Sequence, residues 1–258
     1  MGNTGETERV LQLDASANFR DFGGYHSSDG CRIKQGVIYR SGTLSALSDA
    51  DLAAISRLGL KRIIDLRSDW EIKREGFDRL YPGNENRYDF LPFDYGDPYL
   101  SELQMATEAA WDIHRVDFEN LYVNMLEQNG KSLKIVFDRF ADPSQYPLLI
   151  HCTQGKDRTG IVAALLLLLL GVPHEAVMED YMLTGKLIDW QQKHREMMEY
   201  FEDSGDDWAP FFTCLPQAME NLFVHVENHY AGAVVHFLNS IGVALDQQKR
   251  IREFLLEN

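Results

Sequence analysis

The chain has 258 residues, 45% of them hydrophobic and 25% charged, a balance that supports a buried core and excludes a disordered or collagen-like polymer. A formal charge of −15 repels polyanions, so nucleic acid is a poor general partner and any anionic substrate must be held by a local set of donors. Three cysteines, Cys31, Cys152 and Cys214, are too few and too scattered for a disulfide framework or a zinc ribbon, and a reducing, cytoplasmic setting is expected.

Residues 1–13 read as an N-terminal tail without the basic and apolar regions of a secretory signal, and 14–258 as one compact domain. Turn residues dominate 18–36, where Gly23-Gly24 and Asp29-Gly30 bracket short apolar pieces ahead of Val37-Ile38-Tyr39. That pattern predicts small strands or a hairpin entering a sheet, with Gly23 and Gly24 in a turn of positive φ. Ser48 caps an amphipathic stretch over 49–58 that stops at Gly59, a predicted helix. Residues 61–66 predict a short buried strand, and Ser68 with Glu71 three positions later has the form of a capping box for the next helix.

The stretch 86–93 alternates as a strand running into a loop over 94–101, and 102–127 and 133–140 carry helical spacing. Residues 147–151 form a brief apolar strand, and 161–170, well short of a bilayer-crossing length, a buried helix. Beyond Gly171-Val172-Pro173 the pattern is almost wholly helical, over 175–202 and 217–256, around an acidic surface loop at 202–207. Strands alternating with helices and followed by a helical C-terminal region predict an α/β fold with a central sheet flanked by helices.

The segment from Leu148 to Gly160 carries the chemistry. Cys152 follows the apolar strand, five residues separate it from Arg158, Thr159 follows, and a long apolar helix begins at once. A loop between a strand end and a helix start turns backbone N–H groups inward and adds the positive end of the helix dipole, which suits a phosphate dianion. Thr153, Gln154, Gly155, Lys156, Asp157 and Arg158 would form this cradle. Cys152 beside these cations is expected to be a thiolate nucleophile, Arg158 to offer a planar fork to two equatorial phosphate oxygens, and Thr159 to hydrogen-bond the sulfur as a leaving group. His151 is expected to orient the loop.

Here the chain resembles the protein tyrosine phosphatase superfamily, in its atypical branch of microbial tyrosine/serine and phosphoinositide phosphatases, whose loop reads His-Cys-x-x-Gly-Lys-Asp-Arg-Thr-Gly. His151 through Gly160 match every fixed position, and Asn18 through Gly24, Tyr39-Arg40-Ser41 and Ile64 through Ser68 are similar to further family elements. The resemblance implies metal-free hydrolysis of phosphate monoesters through a phosphocysteine, on phosphotyrosine and in some members phosphoserine, phosphothreonine, phosphoinositides or inositol phosphates. By the same resemblance Lys156 goes with inositol phosphates or lipids, through a cation placed to reach a neighbouring phosphate; the alternative is a loop-stabilising partner for Asp157.

A leaving alkoxide or phenoxide needs a proton, and three carboxylates compete to supply it. Asp157 is first by resemblance, although its flanking cations favour a base over an acid until a dianion binds. Asp65 is second, at the carboxyl end of a predicted strand, with a salt bridge to Arg67 as the alternative. Asp94 is third, in the loop after Phe93. Arg20, Arg40 and Arg67 are expected to be paired more readily than to touch substrate, and Asn18 and Asp21 to brace the loop. Cys31 and Cys214 read as inert apolar residues.

Overall fold

The computed structural model describes residues 9–97, 99–100, 112–189, 195 and 206–258. Five short strands build the main sheet: β1 (Arg20–Asp21), β3 (Ile38–Ser41), β4 (Arg62–Asp65), β5 (Tyr88–Phe90) and β6 (Leu148–His151), in the order β1-β3-β6-β4-β5. β6 lies between β3 and β4, parallel to both; β5 runs parallel to β4, and β1 pairs antiparallel with β3. With neighbours on both edges and helices on both faces, β6 buries all four of its residues, which is why Leu148 to His151 shows no alternation. Register sets Ser41 of β3 and Asp65 of β4 opposite His151 of β6, so the loops leaving these three strands share one edge.

Helices α1 (Asp49–Ser56) and α2 (Asp69–Glu75) precede β5, and α3 (Leu121–Gln128) and α4 (Gly130–Phe140) precede β6. Then follow α5 (Arg158–Leu169), α6 (His174–Leu187), α7 (Ala209–Phe212), α8 (Pro216–His229), α9 (Val234–Ser240) and α10 (Leu245–Leu255). Nearly every residue of α5 is buried, because it is the central helix of the larger core, packed among Phe137, Phe223, Phe237 and Ile251; its pattern is therefore apolar on every side. A smaller core of Phe19, Leu44, Ile55, Ile63 and Leu149 covers the other side of the sheet. Ser68 forms with Glu71 the capping box that their spacing suggests, and Ser48 caps α1 as expected while also closing a box with Asp51.

Several expectations are corrected. Of the helix expected over 102–127, residues 102–111 lie outside the described residues, and α3 begins only at Leu121. Asp112 accepts the His114 N–H and Asp117 accepts from Asn120, local side-chain bonds that compete with helix before that point. The helix expected over 175–202 stops at Leu187 among the described residues, and most of the acidic loop at 202–207 lies outside them. The stretch 217–256 is three helices broken at turns, and its end is a strand, β7 (Leu256–Glu257), paired with β2 (Arg32–Ile33).

Residues 9–13 are not a free tail: Leu11 N–H donates to Phe19 O at 3.1 Å, and Leu11 and Leu13 pack on the smaller core. Gly24 has the expected positive φ of 94°. Gly23 does not, and is required by close approach instead, since a Cβ there would lie 2.4 Å from Lys34 O. No helix among the described residues is long and apolar enough to cross a membrane.

Candidate active site

β6 delivers Cys152 to the carboxyl edge of the sheet, and six residues later α5 opens with Arg158. The turn between them depends on Gly155, whose φ is +67° and whose added Cβ would stand 2.3 Å from Ser41 O, a position closed to any other residue. With that turn made, the Gly155 N–H points inward and donates to Cys152 Sγ at 3.2 Å. Cys152 is 2% exposed, so the sulfur sits inside the cradle rather than on its rim.

The outer side of the loop is held by carbonyl contacts. Asn18 Nδ2 donates to Gln154 O (3.1 Å) and Gly155 O (3.0 Å), and Arg40 Nη2 donates to Gly155 O at 2.7 Å. Arg40 is fixed by Asp180 of α6 at 2.6 Å, and the same carboxylate takes Arg20 Nε at 3.1 Å and the Tyr25 hydroxyl at 3.0 Å. Burial raises the pKa of Asp180, but Arg20 and Arg40 outweigh it and hold the carboxyl well below the usual carboxylate range. Burial likewise lowers Arg40, to about 10.

Arg158 is clamped by Glu71 of α2, with Nη1 to Oε2 and Nη2 to Oε1 both at 2.5 Å, and Nη1 also reaches Leu66 O at 3.3 Å. Its buried Nε has no hydrogen-bond partner among the described residues, and the Tyr95 ring lies 5.3 Å from its Cζ. Glu71 closes the α2 capping box through the Ser68 N–H and accepts the Thr153 hydroxyl. Burial raises this carboxyl, but the Arg158 charge and these hydrogen bonds bring it down to about 2.

Of the two remaining charged residues of the loop, Lys156 meets the end of α7 and Asp157 meets α3. Lys156, 2% exposed, donates to Thr213 O (2.8 Å) and Phe211 O (3.3 Å) and lies 3.5 Å from Asp157 Oδ1. Asp157 accepts the Tyr122 hydroxyl at 2.5 Å. Behind the loop, His151 lies 2.9 Å from Asp78 and 3.8 Å from Asp65, while Arg67 bridges Asp65 (2.7 Å) and Asp78 (3.0 Å). Burial lowers the His151 pKa, but Asp78 and Asp65 raise it further, to about 9, so the imidazole is charged at neutral pH. Asp65, Asp78 and His151 are spaced like metal ligands, yet Arg67 already engages both carboxylates.

A model described as the tyrosine phosphatase family matches residues 11–257. The chain belongs to that family. A Cupriavidus necator homologue assigned to the tyrosine-protein phosphatases is 34% identical over 181 residues, 67% of this chain and 62% of that one. A tyrosine-protein phosphatase of Nostoc commune is 33% identical over 169 residues, 64% of this chain and 55% of that one. The triple specificity protein phosphatase PtpB of Mycobacterium tuberculosis is 29% identical over 201 residues, covering 67% and 68%. The chain thus spans less than two thirds of the first two relatives. Among solved structures, the core catalytic domain of a PP-IP phosphatase from S. cerevisiae is 16% identical, with a TM-score of 0.36 over 67% of this chain and 89% of that one. P. aeruginosa TpbA is 20% identical, with a TM-score of 0.33 over 77% and 98%.

Within this tyrosine phosphatase family member, Cys152, Thr153, Gly155, Arg158 and Glu71 converge as one group. Asp65 does not join them: it is fully buried against Arg67, as the salt-bridge alternative holds. Asp94 is exposed and caps the Gly96 N–H; its neighbour Tyr95 is the residue of that loop that meets Arg158. The Arg158 fork is spent on Glu71, with Nη2 also 3.5 Å from Thr153 Oγ1 and Nε without a hydrogen-bond partner among the described residues. Lys156 turns to main-chain carbonyls rather than outward. Thr159 Oγ1 is buried without a hydrogen-bond partner among the described residues. Asn18 braces the loop as expected, whereas Asp21 ties down the 21–36 turn through the Gly23 and Gly36 N–H groups.

Sequence reasoning did not find the roles of Glu71, Asp78, Tyr95, Tyr122, Asp180 and Tyr181. Only Glu71 had a signal, the capping box, and that accounts for one of its oxygens.

Proposed function

We propose that this chain hydrolyses phosphate monoesters of proteins, phosphotyrosine first, through a phosphocysteine formed on Cys152. The juxtaposition that carries the reading is a buried sulfur 3.2 Å from an inward amide, in a loop whose closing arginine is aligned by a bidentate carboxylate. Sulfur attacks phosphorus in line, and the bond from phosphorus to the leaving oxygen breaks as Asp157 gives that oxygen a proton. Asp157 then takes a proton from the water that attacks the phosphocysteine, releasing phosphate and the thiolate.

Arg158 Nε and Nη2, with the loop amides, bind the equatorial oxygens and bind them better as the group becomes trigonal. Thr159 Oγ1, the buried hydroxyl beside the cradle, serves the sulfur in the second step. Lys156 in this reading fixes 211–213 against the loop, which removes the loop-based reason to favour a polyphosphorylated ring. Phosphoserine and phosphothreonine are the next candidates, supported by the triple-specificity name of the mycobacterial relative. A cytoplasmic setting is part of the same proposal.

Release of p-nitrophenol from p-nitrophenyl phosphate, with Cys152→Ser as the blank, tests the chemistry, and acid-quenched protein should carry phosphate on the Cys152 peptide. Turnover by Cys152→Ser near the wild-type rate would overturn it. A panel of phosphotyrosine peptide, phosphoserine peptide and phosphoinositide then ranks the substrates.

A further inference from the structure

Asp157 is attached to the C-terminal helices by a hydrogen-bond chain whose direction is fixed by its ends. At one end the Leu215 backbone N–H, which can only donate, gives its hydrogen to the Tyr181 hydroxyl oxygen at 2.6 Å. At the other end Asp157 Oδ1 receives the Tyr122 hydroxyl hydrogen at 2.5 Å. Between them the two phenol oxygens are 2.6 Å apart. Tyr122 has used its one hydrogen on the carboxylate, so Tyr181 donates to Tyr122. The chain runs Leu215 N–H to Tyr181 O–H to Tyr122 O–H to Asp157 Oδ1.

Both phenols are buried, Tyr122 fully and Tyr181 to within 1%. Burial, with the Asp157 charge adding to it, raises both far above the ordinary phenol value, so they remain donors throughout the neutral range.

We infer that Tyr122 and Tyr181 are positioning residues for the acid step: they occupy Asp157 Oδ1 with a fixed donor and leave Oδ2 as the oxygen that carries the transferable proton. A carboxyl proton on Oδ1 would reverse the Tyr122 hydroxyl and set two hydrogens between the phenols; a proton on Oδ2 disturbs nothing. The same donors hold the carboxylate plane. The segment that anchors them is the one that receives Lys156, since Phe211 O and Thr213 O take its ammonium while the Leu215 N–H begins the tyrosine chain. The stretch 211–215, from the end of α7 to the start of α8, thus sets the two loop residues on either side of the Lys156–Asp157 peptide. This inference rests on the proposed acid role of Asp157.

A general acid matters most when the leaving group is a poor one, so dependence on the leaving group separates acid positioning from general damage. The test compares kcat/KM for phenyl phosphate and p-nitrophenyl phosphate in the full chain, for wild type, Asp157→Asn, Tyr122→Phe and Tyr181→Phe. Thermal midpoints and the inhibition constant of vanadate report whether fold and cradle persist.

Tyr122→Phe is expected to lose about tenfold on phenyl phosphate and less than about threefold on p-nitrophenyl phosphate, with vanadate inhibition unchanged. Tyr181→Phe, one link further out, should show a smaller loss of the same selectivity. If Asp157→Asn is selective while Tyr122→Phe lowers both substrates equally or neither, the positioning role is wrong and the acid assignment stands. If Asp157→Asn itself shows no selectivity, the acid assignment fails and the inference falls with it.

Discussion

Asp180→Asn removes one charge from a side chain that touches nothing in the phosphate cradle, and should nevertheless weaken both the fold and the reaction. The carboxylate is 2% exposed and receives Arg20 Nε, Arg40 Nη1 and the Tyr25 hydroxyl. Asparagine keeps the shape but offers a single acceptor oxygen, and its amide hydrogens face a guanidinium donor. Two buried cations then share no counter-charge. Breaking a buried pair from one side costs about 3–5 kcal/mol, and because one oxygen is retained the lower figure, about 3 kcal/mol, is expected.

For a chain of this length that is a fall in Tm of about 6–12 °C. Arg40 also loses its brace on Gly155 O, so the loop amides lose their aim and kcat/KM on p-nitrophenyl phosphate should fall about tenfold. The pH dependence has a definite sign. The folded Asp180 pKa is depressed, so its contribution is complete above the unfolded value near 4 and is lost as pH falls through the folded value. Urea unfolding of wild type and variant should converge by about 1 kcal/mol per pH unit below about pH 4. A Tm loss under about 2 °C, or a gap that stays constant from pH 6 to pH 3, would refute the idea that this carboxylate is the keystone of the loop's outer brace.

Glu71→Gln should reduce kcat/KM by about 10- to 100-fold and, because it leaves the buried Arg158 without its counter-charge, lower Tm by about 6–12 °C; steady-state kinetics with circular dichroism melting checks this. His151 has a folded pKa raised to about 9 against an unfolded value near 6.5. Its contribution, on the order of 3 kcal/mol, is present in full below about pH 6.5 and disappears as pH rises through 9. Wild-type urea stability should therefore decline across that window, and His151→Asn should lack the decline. Gly155→Ala forces a Cβ to 2.3 Å from Ser41 O at a φ of +67°, so vanadate binding followed by calorimetry should vanish together with turnover.

The parts of the site that neighbouring residues determine were legible from the residues alone. Leu148 to Arg158 reads as strand, turn and helix start, and Ser68 with Glu71 as a helix start, because period, capping and turn chemistry act over a few positions. The parts that failed depend on where distant segments meet. Asp180 is 140 residues from Arg40 and sits in a helix with no local mark of its partners. Glu71 looks complete as a cap, and nothing nearby reveals that the same carboxylate takes the Arg158 fork from 87 residues away. The acid candidates Asp65, at the end of β4, and Asp157, in the loop leaving β6, belong to the same sheet edge, so position did not separate them. The difference is that Arg67 shares a short turn with Asp65 and folds back on it, whereas Asp157 meets phenols from α3 and α6. Asp94 caps its own turn at Gly96 while its neighbour Tyr95 meets Arg158, a contact for which the irregular loop carries no local signal.

A chain carrying −15 creates a long-range field that opposes a phosphate dianion, and surplus cations in the pocket would be the simplest remedy. The structure takes another course, since Arg158, Arg40 and His151 are matched by carboxylates outside the loop, Glu71, Asp180 and Asp78, and Lys156 is spent on Phe211 O, Thr213 O and Asp157. Pairing cancels most of the distant attraction these cations would exert, so it cannot serve to draw substrate in. It does fix guanidinium planes and carbonyl directions in a buried setting, where each donor is worth more than in water and needs no rearrangement at the moment of reaction. In the proposed mechanism the Arg158 Nε and the loop amides act only at contact range, on the equatorial oxygens of a group already in the cradle. On that reading selectivity for a transferring phosphoryl group over other anions follows from geometry rather than from net charge, and the carboxylates behind the loop then belong to the site as much as the donors that face the sulfur.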